Sequence, residues 1–402
     1  MTPTRFMVIA GEASGDLLAA ELVRGIRQSF GARQRYEPGR AGLSKPGIDP
    51  QFFGAGGPAM KSAGVDLAFD MTAHAVVGLI EVLRNYGKFR RLFRQLLELA
   101  IQRQPDAIIC VDFSGFNRRF AHAVRQYAAG KQRMHSNWQP KIIQYISPQV
   151  WASREGRAHK MARDFDLLLS IFPFEKEWYA KRVPDFSVQF VGHPLVDRYA
   201  QLSSQAPESN SDVPLVVLLP GSRTGELARH LPVIRDAVKR LQSQIDIRWR
   251  MILPNDSLAQ RAQLEFQGIA GGEIRTGGLA ESLSAANLAI ASTGTVTMEC
   301  AWFGVPTVAI YKTSWSTYQI AKRIIKVRFL AMPNILADQT LFPELVQNEA
   351  TGDNIARVAL ELLQDPARGA AIKARLKAVI GTLGQPGAAT RAAEAIIDLL
   401  RV

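Results

Sequence analysis

Asp112 directly follows the apolar run Ala107 to Val111, so a carboxylate emerges at the carboxyl end of a strand. Open α/β sheets carry their chemistry there, and the position suits a general base; a turn or helix-capping acid is the bland reading of the same residue. Pro220-Gly221-Ser222-Arg223 follows the strand-like run Leu215 to Leu219, and the Arg223 guanidinium, beside Ser222, can grip phosphate oxygens in a bidentate way. Ser292-Thr293-Gly294-Thr295 lies between a run ending at Ala291 and a helical stretch through Cys300. Hydroxyls and main-chain amides in such a turn can hold a diphosphate. Glu299, four residues after Thr295, shares that helix face and can hydrogen-bond a ribose diol. Ordinary capping explains the Ser and Thr residues but gives no reason for Glu299.

Two further turns invite a similar question. Ala10-Gly11-Glu12-Ala13-Ser14-Gly15-Asp16 joins a first strand to a first helix; its glycines permit a tight backbone, Ser14 or Asp16 can cap the helix, and an anion or polar substrate edge can sit at the helix start. Gly54-Ala55-Gly56-Gly57-Pro58 contains a G-x-G but stops short of the dinucleotide fingerprint. Among the six histidines none has metal-ligand spacing, so neither a metal site nor another cofactor is expected. His193, in Val191-Gly192-His193-Pro194, is the one at an expected strand exit and is a candidate ligand contact.

The elements that must position these residues alternate. Short apolar runs bounded by Gly or Pro separate longer stretches of helical period, which is the pattern of strand-helix-strand units and parallel sheets. Strands are expected at Phe6 to Ala10, Ala107 to Val111, Ile142 to Ile146, Leu167 to Ile171, Val188 to Val191, Leu215 to Leu219, Trp249 to Leu253 and Leu288 to Ala291. Leu18, Leu22, Ile26 and Phe30 mark a buried helix face after the first strand, and Gly31 to Pro50 reads as a surface loop or insertion. The polar segment 201–213 reads as a linker between a first domain, 1–200, and a second, 214–402, whose last helix is allowed to cross back. Two such sheets in tandem would place a ligand in the cleft between them.

Composition narrows the partners. With 47% hydrophobic and 21% charged residues in 402 positions, the chain is globular rather than disordered. Two cysteines in apolar stretches argue against a disulfide framework and for a reducing, cytoplasmic setting. No apolar run approaches the roughly 20 residues of a spanning helix, and the first run is too short for an export signal. Lys and Arg exceed Asp and Glu by 49 to 36, a net charge of +13 that favours an anionic partner. Leu79, Leu83, Tyr86, Phe93, Leu96 and Ala100 fall at helical spacing with Arg84, Lys88, Arg90, Arg91 and Arg94 among them, a basic amphipathic helix suited to anionic lipid or to packing on the sheet. Lys312, Trp315, Tyr318, Lys322, Arg323, Lys326 and Arg328 form a second basic, aromatic run.

Taken together, AGEASGD at 10, GGPAM at 56, VGLIEVL at 77, YISPQVWASREGRAHK at 145, FPFEK at 172, VGHPLVD at 191, LLPGSR at 218, STGTVTMECAWFGVP at 292, YKTSW at 311 and MPN followed by PEL at 332 and 343 resemble the lipid A disaccharide synthase family over nearly the whole chain. Gly115 stands where that family often carries a second Asp, three residues after Asp112, and the stretch 31–50 is longer than the family's. The resemblance implies a GT-B architecture, two Rossmann-like domains with the nucleotide on the second and the acceptor mostly on the first. It implies a metal-free inverting transfer from UDP-2,3-diacylglucosamine to 2,3-diacylglucosamine 1-phosphate (lipid X), giving a β(1→6) disaccharide and UDP. It also implies Asp112 as base, Arg223 and Ser292 to Thr295 on the diphosphate, Glu299 on the ribose, Asn334 and Gln339 near the diphosphate or sugar, and Glu12 and Ser14 on the acceptor side. The expected setting is the cytoplasmic face of the inner membrane, bound peripherally to anionic lipid, with a homodimer left open and no nucleic acid. Two rival readings are a UDP-sugar epimerase on the same architecture and a nucleic-acid-binding protein; acceptor-independent release of sugar would select the first, salt-dependent RNA binding the second.

Overall fold

A computed structural model describes residues 3–36, 49–74, 86–132, 138–200 and 213–401. The chain forms two compact units, 1–200 with 383–402, and 201–382.

The first unit is built on a seven-stranded parallel sheet in the order β3-β2-β1-β4-β5-β6-β7. Its strands are β1 (Arg5–Ala10), β2 (Gln51–Gly56), β3 (Asp66–Asp70), β4 (Ala107–Val111), β5 (Lys141–Tyr145), β6 (Leu167–Ser170) and β7 (Val188–Phe190). Helices cover both faces of a parallel sheet, so its central strands are apolar throughout rather than alternating. Phe6 to Ala10 and Ala107 to Val111 are accordingly buried at every position and lie side by side, Phe6 against Ala107 through Ala10 against Val111. β2 and β3 escaped the sequence reading for physical reasons. β2 carries Gly54, at φ +151, where a Cβ would stand 1.9 Å from the Val8 carbonyl, and β3 is an edge strand whose two ends are aspartates.

The helix Ala13–Tyr36 follows β1 and runs into the stretch expected to be loop, because Ala32 to Arg35 are good helix formers. Residues 37–48 of that expected loop lie outside the described residues. The C-terminal helix Ala388–Leu399 lies against Ala13–Tyr36, where Gly25 leaves room for the Ala389 carbonyl, 3.1 Å from the position of a Cβ. It is tied down by Asp197, which accepts the Gly387 amide, and by Arg391, whose Nε donates to the Val191 carbonyl at 2.8 Å.

The second unit repeats the plan with a six-stranded parallel sheet, order β10-β9-β8-β11-β12-β13. Its strands are β8 (Leu215–Leu219), β9 (Arg248–Leu253), β10 (Gly272–Thr276), β11 (Leu288–Ser292), β12 (Thr307–Tyr311) and β13 (Glu344–Val346). β10, β12 and β13 were not among the expected strands; β10 is polar and β13 three residues long, while β12 is a buried apolar run that the reading passed over. In both sheets the chain starts in the middle, moves outward to one side, then returns to the centre and moves to the other. Such a sheet has one switch point, between β1 and β4 in the first unit and between β8 and β11 in the second, and ligands bind at the carboxyl ends of those strands.

Candidate active site

At the switch point of the first unit the turn after β1 and the turn after β4 are packed together. Gly11 has no side chain because the Phe113 ring occupies the space, 2.3 Å from where a Cβ would be. Gly15 brings the start of helix Ala13–Tyr36 to the Asp112 Cβ, 3.8 Å from its own Cβ direction. Glu12, half-buried, and Ser14, exposed, therefore share a surface with half-buried Asp112. Asp112 and Phe113 both hold left-handed backbone, φ 47 and 38. Gly115, exposed in the first turn of helix Ser114–Gln132, has open space where a side chain would go.

One expectation in this region needs correcting. The first helix already begins at Ala13, so Ser14 and Asp16 lie inside its first turn rather than at its cap. Asp16 is buried and caps a different element: its carboxylate accepts the amides of Gly57 at 2.7 Å, Ala59 at 2.9 Å and Met60 at 3.1 Å, at the start of helix Pro58–Ser62. His193 stands three strands away, at the exit of β7. Its Nδ1 accepts the Leu195 amide at 3.1 Å, capping helix Pro194–Tyr199, and its ring sits on Phe172. Burial, with Arg198 nearby, pushes its pKa down to about 4, so it is a neutral cap, and the structure does not bring it beside Asp112.

A residue that the sequence reading passed over lies close to this edge. Glu175, fully buried in helix Pro173–Ala180, accepts Trp151 Nε1 at 2.9 Å and pairs with the Ser170 hydroxyl at 2.7 Å. Ser147 also hydrogen-bonds it and reaches the Tyr179 hydroxyl at 3.1 Å. Burial raises the Glu175 pKa to about 7 against those hydrogen bonds. The group fastens the segment after β5 to the segment after β6. Its signal in the sequence was the FPFEK motif, whose single acid was not weighed as a buried group.

The switch point of the second unit joins the turn Pro220–Arg223 to the turn Ser292–Thr295. The tie is Glu226, another residue missed in the sequence, in the first turn of helix Thr224–Gln242. Its carboxyl is raised by burial and opposed by Arg223, by the Ser292 hydroxyl and by the Ser222 main chain. Gly221, at φ +114, is required because a Cβ would stand 2.3 Å from the Glu226 carboxyl. His230, wholly buried one turn further along, donates from Nδ1 to the Pro220 carbonyl at 2.7 Å and accepts the Lys312 amide at Nε2, 3.0 Å away. Both contacts require the neutral ring, and burial holds its pKa below the usual value.

Above this frame Ser222 and Arg223 are exposed, as are Gly294 and Thr295, with Thr293 half-buried. Ser292 is buried on Glu226. Thr297 donates both its amide and its hydroxyl to the Gly294 carbonyl, 3.1 and 2.7 Å, which fixes the turn. Thr295 occupies the cap of helix Val296–Trp302 without spending its side chain on capping, so capping does not account for that hydroxyl. Glu299 is half-buried one turn in.

Asn334 behaves otherwise than expected. Fully buried, it donates to the Phe342 carbonyl and to Glu344, and accepts the amides of Leu341 and Phe342, all at 2.8 Å. Four bonds exhaust a carboxamide, so Asn334 shapes the loop 338–344 and has no capacity left for a ligand. Gln339 is half-buried, and its Oε1 accepts Arg375 at 2.7 Å. Among the described residues no group of three His, Cys, Asp or Glu is placed to hold a metal ion.

In the first unit the apolar face of helix Tyr86–Arg103 is spent on the core. Leu92, Leu96 and Ala100 are buried and Phe93 packs edge-on against Phe116 and Phe120, while Arg90, Arg91 and Arg94 face solvent. Leu79, Leu83 and Arg84 lie outside the described residues. Helix Trp315–Ile324, in the second unit, keeps Trp315 75% exposed with Lys322, Arg323, Lys326 and Arg328 exposed at its end. No described helix is long and apolar enough to cross a membrane.

Comparison with known proteins agrees over the full length. The family model for lipid-A-disaccharide synthetase matches residues 6–397. A protein of Geobacter sulfurreducens named lipid-A-disaccharide synthase is 36% identical over 413 residues, covering 99% of this chain and 98% of its own. One of the same name from Myxococcus xanthus is 33% identical over 406 residues, covering 99% and 98%. Among solved structures, a UDP-N-acetylglucosamine 2-epimerase of Listeria monocytogenes superimposes with a TM-score of 0.61 at 14% identity, covering 98% of this chain and 96% of that one. The MurG of Acinetobacter baumannii does so with a TM-score of 0.53 at 14% identity, covering 99% of each chain. At such identities these two report the fold, which is the GT-B arrangement of two Rossmann-like units.

Proposed function

The chain belongs to the lipid-A-disaccharide synthetase family, and from that premise we propose how its own residues carry out the transfer. The protein is a glycosyltransferase that joins UDP-2,3-diacylglucosamine to 2,3-diacylglucosamine 1-phosphate, releasing UDP and giving a β(1→6) disaccharide. The acceptor 6-hydroxyl attacks the anomeric carbon from the face opposite UDP, the bond from that carbon to the diphosphate breaks, and the hydroxyl proton passes to Asp112. An alcohol is a poor nucleophile at neutral pH, and a carboxylate within hydrogen-bond reach removes its proton as the new bond forms. Glu12 and Ser14, on the same surface, hold the acceptor.

Charge accumulates on the departing UDP, and Arg223 with the Ser292 to Thr295 turn receives it, Glu299 holding the ribose. Glu226 and His230 keep the two turns in place, and Gln339 borders the sugar. Asn334 serves by shaping its loop.

Both lipid substrates have acyl chains, so the enzyme works at a bilayer; we place it peripherally on the cytoplasmic face of the inner membrane, against anionic lipid. Helix Trp315–Ile324 supports this, since an exposed Trp at its start and four exposed cations in and after its last turn suit the boundary between headgroups and acyl chains. Helix Tyr86–Arg103 adds cations alone.

One observation supports the reading above the others: each unit has residues of the proposed chemistry at the switch point of its sheet, Asp112 with Glu12 and Ser14 at β1/β4, Arg223 with Ser292 to Thr295 at β8/β11. The test is incubation with both lipid substrates, with and without chelator, followed by mass spectrometry. Disaccharide and UDP are expected in equal amounts under both conditions. Free sugar released without acceptor would instead select an epimerase.

A further inference from the structure

We propose that Gln144 and Asn117 are positioning residues for the Asp112 carboxylate, acting through its main chain; the proposal rests on Asp112 being the base. Three residues at the ends of β4 and β5 hold left-handed backbone, Asp112 at φ 47, Phe113 at φ 38 and Ile146 at φ 71. None is a glycine, one is aromatic and one β-branched, and such residues persist in that region only where the surroundings over-determine them.

Two buried carboxamides supply the determination. Gln144, 1% exposed on β5, directs Nε2 at the carbonyls of Asp112, Ile146 and Tyr145, 3.0, 3.1 and 3.3 Å away. Asn117, wholly buried in helix Ser114–Gln132, directs Nδ2 at the carbonyls of Asp112 and Val111, 2.8 and 3.2 Å away. The Asp112 carbonyl thus receives both side chains, while its amide donates to the Tyr145 carbonyl at 2.9 Å. With the peptide groups before and after its Cα both pinned, the direction in which the Asp112 side chain leaves the backbone is set.

The oxygens of the same two carboxamides argue that this is more than general support. Neither Gln144 Oε1 nor Asn117 Oδ1 accepts a hydrogen bond, although both are buried. A buried acceptor without a donor costs stability, so the oxygens give no reason for a carboxamide at either position; the reason lies in the N–H groups, whose loss would take these donors from the main-chain carbonyls they hold. What only the carboxamides supply is the pair of N–H groups on the Asp112 carbonyl. Misplacing a reacting group by about 1 Å can cost about a hundredfold in rate, so such a restraint has a kinetic use.

The test is a double-mutant cycle on the full chain with both lipid substrates. Gln144→Met and Asn117→Ala should each lower kcat about 10- to 100-fold with KM for both substrates within about threefold and UDP affinity unchanged. In an Asp112→Asn background either substitution should lower the residual rate no further, because nothing remains to be aimed. Equal losses in the two backgrounds, a change in KM rather than kcat, or kcat within twofold of the parent would overturn the proposal. If Gln144→Met does not fold, Asn117→Ala, at a helical position that alanine suits, decides the question. Full activity of Asp112→Asn alone would instead remove the base assignment, a separate result.

Discussion

Glu175 offers a prediction whose size follows from its surroundings. Its carboxyl has a reference pKa of 4.5 and is raised by burial to about 7 in the folded chain. Between those two values the folded protein keeps a proton that the unfolded chain releases, so stability is full below about pH 4.5, falls as pH rises and levels off above about 7. The loss, at about 1.4 kcal/mol for each pH unit, approaches about 3 kcal/mol, a large share of the roughly 5–15 kcal/mol that stabilises a typical domain. Glu175→Gln keeps the shape and the contacts to Trp151 and Ser170 but cannot ionise. Urea unfolding of both proteins from pH 4.5 to 8.5 isolates the group, because every other titration cancels in the difference. The variant should gain on the parent by about 3 kcal/mol across that range. In the folded parent the Trp151 indole N–H resonance should shift with a midpoint near 7 and stay constant in the variant. Stability profiles that run parallel within about 0.5 kcal/mol would show that the carboxyl titrates alike in both states and would refute the reasoning.

Four more expectations can be checked directly. Asp112→Asn should reduce turnover about 10²- to 10⁴-fold with UDP affinity near normal, and loss of UDP binding in calorimetry would contradict its role as base. Arg223→Ala removes a charged hydrogen bond worth about 1.5–3 kcal/mol to the leaving group, so kcat should fall more than tenfold, and a smaller loss in steady-state kinetics argues against that role. Asn334→Leu leaves two buried amides and a carbonyl without partners and should cost about 2 kcal/mol or more in thermal unfolding, with KM for the UDP-sugar little changed in the surviving fraction. Gly115→Asp enters open space in a helix's first turn, so Tm should rise or hold; a fall would mean that the position needs glycine.

The sheet was legible at most of the places where burial on both faces forces an unbroken apolar run, as at Phe6 to Ala10, Ala107 to Val111 and Leu215 to Leu219, though the buried run of β12 was passed over. The strand-end residues Asp112, Arg223 and Ser292 followed from those runs, because a parallel strand delivers its next polar residue to the edge where ligands bind. What stayed hidden was partnership at long range. Asp16 stands in a turn that invites a capping reading, but its partner amides are more than 40 residues away, at Gly57 to Met60. Glu226 reads as a helix-start acid; only the fold reveals that Ser292, from another strand, comes to it. The partners of Asn334 stay hidden for the same reason, since the four groups that consume it are brought in by a loop whose path no local pattern announces.

The helix Ala388–Leu399 lies on the first unit although the second unit intervenes in the sequence. During synthesis, then, the ribosome emits residues 1–200, roughly 180 residues of something else, and only afterwards the segment that covers helix Ala13–Tyr36. At about 5–20 residues per second that wait lasts roughly ten to forty seconds, while an apolar flank stays uncovered on the nascent chain. A nascent protein so arranged has reason to draw on chaperones in that interval, and a release that comes twenty residues early should leave a first unit prone to aggregate while the second folds unharmed.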